Sequence, residues 1–189
     1  LNDQIEKEGK KNERAKIFMQ KVIFCKAAEE ILNVTINQRL GEIKDKIRDE
    51  TNTIFFNLIW KQATFNKITI DEDYQLKITS TDTNLSMLGS LSKAENELLA
   101  LSFTLALHKV SGFDAPLLID TPVARVSDEQ RVNFGTTLAQ ISKDKQIFLL
   151  FTPAEYSPDI KAVIEPELTN KYEFEMSSDE KQTLIKELK

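Results

Sequence analysis

Core-type positions in the first fifty residues recur in steps of three and four. Ala15, Phe18, Val22, Cys25, Glu29, Leu32, Ile36, Leu40, Ile43 and Ile47 are separated by 3, 4, 3, 4, 3, 4, 4, 3 and 4 residues. That is a heptad seam with one extra four-step near Ile36, the mark of a local stutter. No proline precedes Pro116, and only Gly9 and Gly41 interrupt the first fifty positions. The pattern predicts a long amphipathic helix over residues 3–60, broken or bent near Thr51–Thr53. Ile17, Ile23 and Ile31 broaden the stripe, as on a helix lying against its own domain. Residues 3–14 are almost wholly polar and offer no globular core, which favours a coiled-coil arm.

From position 65 the period changes. Phe65, Ile68 and Ile70, then Tyr74, Leu76 and Ile78, flank Asp71-Glu72-Asp73 and predict a β-hairpin. Thr79–Gly89 is a polar loop. Ser92–Val110 predicts a helix with Leu98, Leu99, Leu101, Phe103, Leu105 and Leu107 nearly all round it, hence a buried one. Pro116-Leu117-Leu118-Ile119-Asp120 is a short apolar run without alternation, as in a strand covered on both faces. A helix over 128–142 follows, capped by Ser127 with Gln130 closing a capping box, then a second buried strand over Gln146–Phe151. Strand, helix and strand make a βαβ unit with a right-handed crossover. The tail predicts a strand at Lys171–Met176 and a closing helix from Ser177, with Glu180 as its box partner. The expected fold is α/β, buried parallel strands flanked by helices plus a β-hairpin, behind an N-terminal coiled-coil helix. The expected division is 1–60 for the helical arm and 61–189 for the α/β lobe.

Composition narrows the chemistry. The chain has 189 residues, 41% of them hydrophobic, enough for a core. One Cys excludes a disulfide framework and a Cys-based zinc site, and suggests a reducing, cytoplasmic setting. One His leaves little for a multi-His metal site. No apolar run reaches membrane-spanning length, and the charged N-terminus is no signal peptide. Through position 50 there are 11 basic and 10 acidic residues, whereas 51–189 carries 14 basic and 20 acidic. Lys7, Lys10, Lys11, Arg14 and Lys16 are interleaved with Glu6, Glu8 and Glu13, the pattern of a solvated helix face more than of a DNA track. The five glycines stand alone, and none belongs to a GxxxxGK[ST] phosphate loop.

Two places remain for chemistry. In an open parallel sheet, ligands sit outside the carboxyl ends of the strands. Asp120-Thr121 ends one strand and Thr152 ends its neighbour. A carboxylate there suits a nucleotide-bound Mg²⁺, which takes hard oxygen ligands and keeps several waters; it equally suits a helix cap or turn. The second place is Leu91-Ser92-Lys93-Ala94-Glu95. Ser92 and Glu95 form a capping box, and the helix N-terminus with Lys93 could also hold an anion.

Taken in order, the heptad arm, the hairpin, LSKAE, PLLIDTP, ARVSDEQR and IFLLFT resemble the C-terminal half of an SMC-type ABC ATPase. Among these the look is nearest to the DndD-like branch, linked to DNA phosphorothioation and phage defence, whose Walker B segment also reads Asp-Thr-Pro. The resemblance spans nearly the whole chain and is strongest from Leu91 to Thr152. It implies a returning coiled-coil arm plus the C-terminal lobe, with the Walker A lysine on a separate N-terminal half. It also implies ATP and Mg²⁺ as cofactors, a homodimer closed by an ATP sandwich, and DNA or a nuclease-type protein as partner.

By motif position, Leu91, Ser92, Lys93, Ala94 and Glu95 resemble the signature that contacts the γ-phosphate held by the other protomer. Asp120 resembles the Walker B acid that holds Mg²⁺ through water. Arg125, Ser127 and Asp128 fall in the D-loop segment, Arg131 matches a basic position just after it, and Thr152 stands where many relatives carry the switch histidine. The sequence also departs from the family. Ala94 replaces the signature glycine, Thr121 stands at the catalytic glutamate, and Ser127 replaces the D-loop aspartate. The resemblance therefore supports two readings. One is a composite ATPase serving DNA repair or phosphorothioation-linked restriction. The other is a degenerate, non-enzymatic coiled-coil partner or nucleotide sensor.

Overall fold

The computed structural model describes residues 2–82, 85–122 and 126–188. The chain divides into two compact units, Leu1–Lys46 and Ile47–Lys189. Helix α1, Asn2–Leu58, supplies the described structure of the first and the opening residues of the second. Within the first unit the heptad residues Phe18, Leu32, Ile36, Leu40 and Ile43 are exposed. Arg39 pairs with Glu42 at 2.9 Å, one turn along the helix.

Helix α1 runs unbroken through Thr51–Thr53, where the sequence allowed a break or a bend. Thr51 Oγ1 donates to the Ile47 carbonyl (2.6 Å) and Thr53 Oγ1 to that of Asp49 (3.0 Å), so both hydroxyls bond back to the helix. Burial holds the same turns in place. Ile54, Phe55 and Leu58 are sealed in the core with Phe65, Ile68, Ile78, Leu98, Leu105, Phe134 and Ile160. The Phe55 ring meets Phe56 and Phe65 edge-on, with centroids 5.6 and 5.7 Å away.

Strands β1 (Phe65–Ile70) and β2 (Leu76–Ser80) form the expected antiparallel hairpin, with Ile68 opposite Ile78. A register irregularity between Phe65 and Lys67 lets Phe65 and Ile68, three apart, both point inward. Asn52 ties the hairpin to α1. Its Oδ1 accepts from Ile68 N, and its Nδ2 donates to the carbonyls of Ile68 and Arg48, all at 2.8 Å.

Helix α2, Lys93–Val110, starts at the capping box read from sequence. Glu95 N donates to Ser92 Oγ (3.2 Å), and Ser92 N donates to Glu95 Oε2 (2.7 Å). Its apolar surround is not wholly buried: Leu98, Leu99, Leu105 and Ala106 face the core, while Leu107 stays 39% exposed. Strands β3 (Leu117–Asp120) and β4 (Ile147–Leu150) pair in parallel, joined through helix α3, Asp128–Ile141. The expected cover on both faces is present on one. Leu117, Ile119, Ile147 and Leu149 pack on the core, but Leu118 is 67% and Phe148 48% exposed. Among the described residues, no layer lies over that second face.

Helix α4, Pro158–Ile164, packs on α3 where Gly135 permits close approach; a Cβ there would sit 3.2 Å from Val163 Cγ1. After β5, Lys171–Met176, the expected closing helix is absent, and β6, Thr183–Leu188, returns antiparallel to β5. Ser177 and Asp179 close the turn between them. Ser177 N donates to the Gln182 carbonyl (2.8 Å), Gln182 N to Ser177 Oγ (3.1 Å) and Lys181 N to Asp179 Oδ1 (3.3 Å). The residues that cap helices also close hairpins, and the Thr-Leu-Ile run beyond them favours a strand. Among the described residues, no helix is long and apolar enough to cross a membrane.

Two predictions follow from this packing. Phe55→Ala removes a ring at the meeting point of α1, the hairpin and α2, and should cost about 3–5 kcal/mol in urea unfolding. The second concerns Glu95. Burial alone would raise its pKa, but hydrogen bonds from Ser92 and the nearby Lys61 charge outweigh this and hold it below the ordinary value of 4.5. A depressed folded pKa contributes stability above the unfolded value and loses it as pH falls through the folded one. The stability gap between the native chain and Glu95→Gln should be full at pH 7 and close below pH 4.5.

Candidate nucleotide site at the strand ends

The candidate site begins with the parallel ladder of β3 and β4. Asp120 lies opposite Leu150, so the residues that leave the sheet at this end, Asp120-Thr121 and Phe151-Thr152, emerge from neighbouring strands. A helical crossover sets that arrangement, because both strands must run the same way. Thr121 N donates to the Leu150 carbonyl at 3.0 Å, carrying the ladder one residue past Asp120. Thr121 then turns out of the sheet at φ +45°. For a β-branched residue this is a strained, left-handed conformation costing roughly 1–3 kcal/mol, of the kind found at binding and catalytic sites.

Thr152 is exposed at the end of β4, and behind it Glu155 is buried to 3% exposure. Thr152 donates to one carboxylate oxygen, Oε2 of Glu155, twice: through its N–H (3.0 Å) and through its hydroxyl (2.7 Å). Glu155 N in turn donates to the Thr152 carbonyl (3.0 Å). Sequence reading missed Glu155. Its signal was available, since Thr152-Pro153-Ala154-Glu155 has the Thr-x-x-Glu spacing with which Ser92 and Glu95 were found.

After β3 the chain enters α3 through Ser127, whose Oγ accepts from Gln130 N (3.4 Å) while Ser127 N donates to Gln130 Oε1 (3.1 Å). The expected cap is present, and Gln130 is buried. Arg125 lies outside the described residues, and of Asp128 only the backbone, as the first residue of α3, is described.

Leu91–Glu95 sits at the head of α2, a different element, and is joined to the strand ends through the common core that Leu91, Ala94, Leu117 and Ile119 all contact. Ser92 and Lys93 are exposed. The Ser92 hydroxyl accepts from Glu95 N and also hydrogen-bonds the Glu95 carboxylate. The N–H groups of Lys93 and Ala94 are among those that an α-helix leaves without an internal partner. Glu95 works against an anion here, and Lys61, 3.7 Å from its Oε1, partly offsets its charge.

The donor set fits Mg²⁺ of one kind only. Among the described residues no three His, Cys, Asp or Glu side chains cluster as a protein cage. Asp120 instead offers one exposed carboxylate at a strand end, the arrangement in which Mg²⁺ is shared between one or two carboxylates, waters and substrate phosphates. A shallow cleft of about 310 Å³ lies elsewhere, lined by Glu50, Ile54, Lys109 and Gln140 among others, and none of the strand-end residues borders it.

No protein-family model matches the chain, and no curated protein matches it. Solved structures do. An Smc head domain with a coiled coil and joint, derived from Pyrococcus yayanosii, aligns with a TM-score of 0.68 at 15% identity, covering 95% of this chain and 33% of that one. A chain from the structural biochemistry of ATP-driven dimerization and DNA-stimulated activation of SMC ATPases aligns at 0.59 and 16% identity, over 83% of this chain and 89% of that one. An Smc head domain with an extended coiled coil, from Pyrococcus furiosus and bound to the C-terminal domain of ScpA, aligns at 0.56 and 16%, over 92% and 46%. The chain thus spans a third to a half of the two archaeal head domains. At these identities the likeness is one of architecture: the chain has the fold of part of an SMC head domain together with its coiled-coil helix.

Proposed function

We propose that this chain is the C-terminal lobe and returning coiled-coil helix of an SMC-like ABC ATPase. In this reading it works only with a second lobe that carries the Walker A lysine. The observation that carries the reading is the parallel pairing of β3 with β4, which sets Asp120-Thr121 beside Thr152 in a chain with the fold of SMC heads.

Each residue then has a role. Asp120 would hold the Mg²⁺ of the nucleotide through water, and the metal would neutralise phosphate charge. The head of α2, with Ser92, Lys93 and two first-turn N–H groups, would meet the γ-phosphate of a nucleotide bound to the opposite protomer. Arg125, Ser127 and Asp128 would line the dimer interface. Phosphoryl transfer demands mainly positioning and charge stabilisation, and a sandwich of two lobes supplies both. The exposed Leu118 and Phe148 suit cover by the second lobe, and the exposed heptad seam suits an antiparallel helix.

The work driven by ATP would be a DNA transaction in the cytoplasm, either repair or phosphorothioation-linked restriction of phage with a nuclease-type partner. The Asp-Thr-Pro segment supports the DndD-like branch within that range. Thr121 favours a second reading. Without a carboxylate after Asp120, a threonine is no general base near neutral pH, and the lobe would then sense nucleotide without turning it over.

Assembled with its Walker A lobe, the chain should dimerise on adding ATP and Mg²⁺, seen by light scattering. Ser92→Arg should abolish that association, and Asp120→Ala should cut turnover by roughly 10²-fold. Association indifferent to ATP and to both substitutions overturns the reading. ATP-driven association without turnover selects the sensing alternative.

A further inference from the structure

We propose that Glu155 is a positioning residue that makes the Thr152 hydroxyl a fixed acceptor for the attacking water, supplying from β4 the orienting group that Thr121 does not supply after β3. The inference rests on the ATPase reading above.

The argument starts from the proton count of a hydroxyl. Thr152 Oγ1 has one proton and two lone pairs, and the proton is spent on Glu155 Oε2 at 2.7 Å. What the hydroxyl can offer the solvent-exposed strand end is therefore acceptance alone. The Thr152 N–H, bound to the same oxygen at 3.0 Å, fixes the backbone of the same residue against that carboxylate. Burial of Glu155 to 3% keeps solvent from competing for that carboxylate. A hydroxyl facing a bare phosphate oxygen needs to donate, whereas one facing a water can accept. The Thr152 arrangement is built for the water.

In the reaction the water oxygen forms a bond to the γ-phosphorus as the bond from that phosphorus to the bridging oxygen breaks. The electron pair leaves with ADP, and both water protons leave on the phosphate as dihydrogen phosphate. During the approach one water proton points at Thr152 Oγ1, which turns a water lone pair toward phosphorus. Proximity and alignment of this kind are large contributors to phosphoryl transfer. Thr121, strained at φ +45° at the end of β3, offers a hydroxyl at the position where a carboxylate would orient the water.

The test is steady-state turnover and ATP-driven dimerisation of the chain assembled with its Walker A lobe. Thr152→Val should lower kcat at least tenfold while the KM for ATP and dimerisation persist, and Thr152→Ser should restore kcat to within threefold. Glu155→Ala should match Thr152→Val, and the double variant should be no slower than Thr152→Val alone, because Glu155 acts through Thr152. Glu155→Gln, whose side-chain carbonyl oxygen can accept both hydrogen bonds, should keep most of the rate. An unchanged kcat in Thr152→Val overturns the proposal, whether or not Glu155→Ala folds. So does a further drop in the double variant, or an unsubstituted assembly that dimerises on ATP but shows no turnover. Absence of ATP-driven dimerisation in the unsubstituted assembly overturns the underlying ATPase reading, and this proposal with it.

Discussion

The parallel pairing of β3 with β4 is the constraint from which the site follows. Parallel neighbours need a crossover, and α3 is that crossover, returning the chain so that both strands end on the same side. Asp120 opposite Leu150 is therefore a consequence of register, and so is the meeting of Thr121 N with the Leu150 carbonyl. A slip of one residue in either strand would exchange its inward and outward side chains and take Asp120 away from Leu150, so the placement of the candidate site depends on this register.

The core that carries this ladder is assembled from distant segments. The last turns of α1 bring Ile54, Phe55 and Leu58 against the hairpin and α2, and α3 and α4 add Phe134, Leu138, Ile160 and Ile164. Each side chain of this size stabilises by roughly 1.5–3 kcal/mol when fully buried. Asn52 adds a directional link, since a single amide satisfies both the N–H and the carbonyl of Ile68 and so sets how the hairpin lies on the helix. Against this stand two apolar surfaces left open, the heptad seam of the first unit and the Leu118–Phe148 face of the sheet. Contiguous exposed apolar surface marks interaction sites. The sheet face is where the proposed second lobe would pack, and the heptad seam where the proposed antiparallel helix would lie.

Legibility varied with how local the deciding interaction was. The capping boxes at Ser92–Glu95 and Ser127–Gln130 could be read because both partners lie within one turn, and the structure has both. The hairpin around Asp71–Gln75 was readable for the same reason, with Gln75 N donating to Asp71 Oδ1 at 2.9 Å. Ser177 and Glu180 were misread as a helix start because such residues also serve a hairpin turn, where Glu180 N donates to the Ser177 carbonyl (2.9 Å); the pairing of Lys171 with Leu188 chose between them. At Thr51–Thr53, where the sequence allowed a break or a bend, the helix continues unbroken. Polar β-branched residues weaken an isolated helix, but Thr51 is buried there and the core holds the turn.

By itself the sequence determined the parts whose energetics are settled within a few residues: the long proline-free helix, the caps, the hairpin, and the two apolar runs that end in Asp120 and Thr152. It could not say which apolar faces would find cover, because burial depends on layers that meet only in three dimensions. Leu118 and Phe148 look as core-like in sequence as Leu117 and Leu149, yet the packing of α3 and α4 covers one side of the ladder alone. Nor could it show that Glu155 folds back beneath Thr152. That needed the tertiary structure, since only the burial of a carboxylate turns a helix-cap spacing into a fixed hydroxyl at the strand ends.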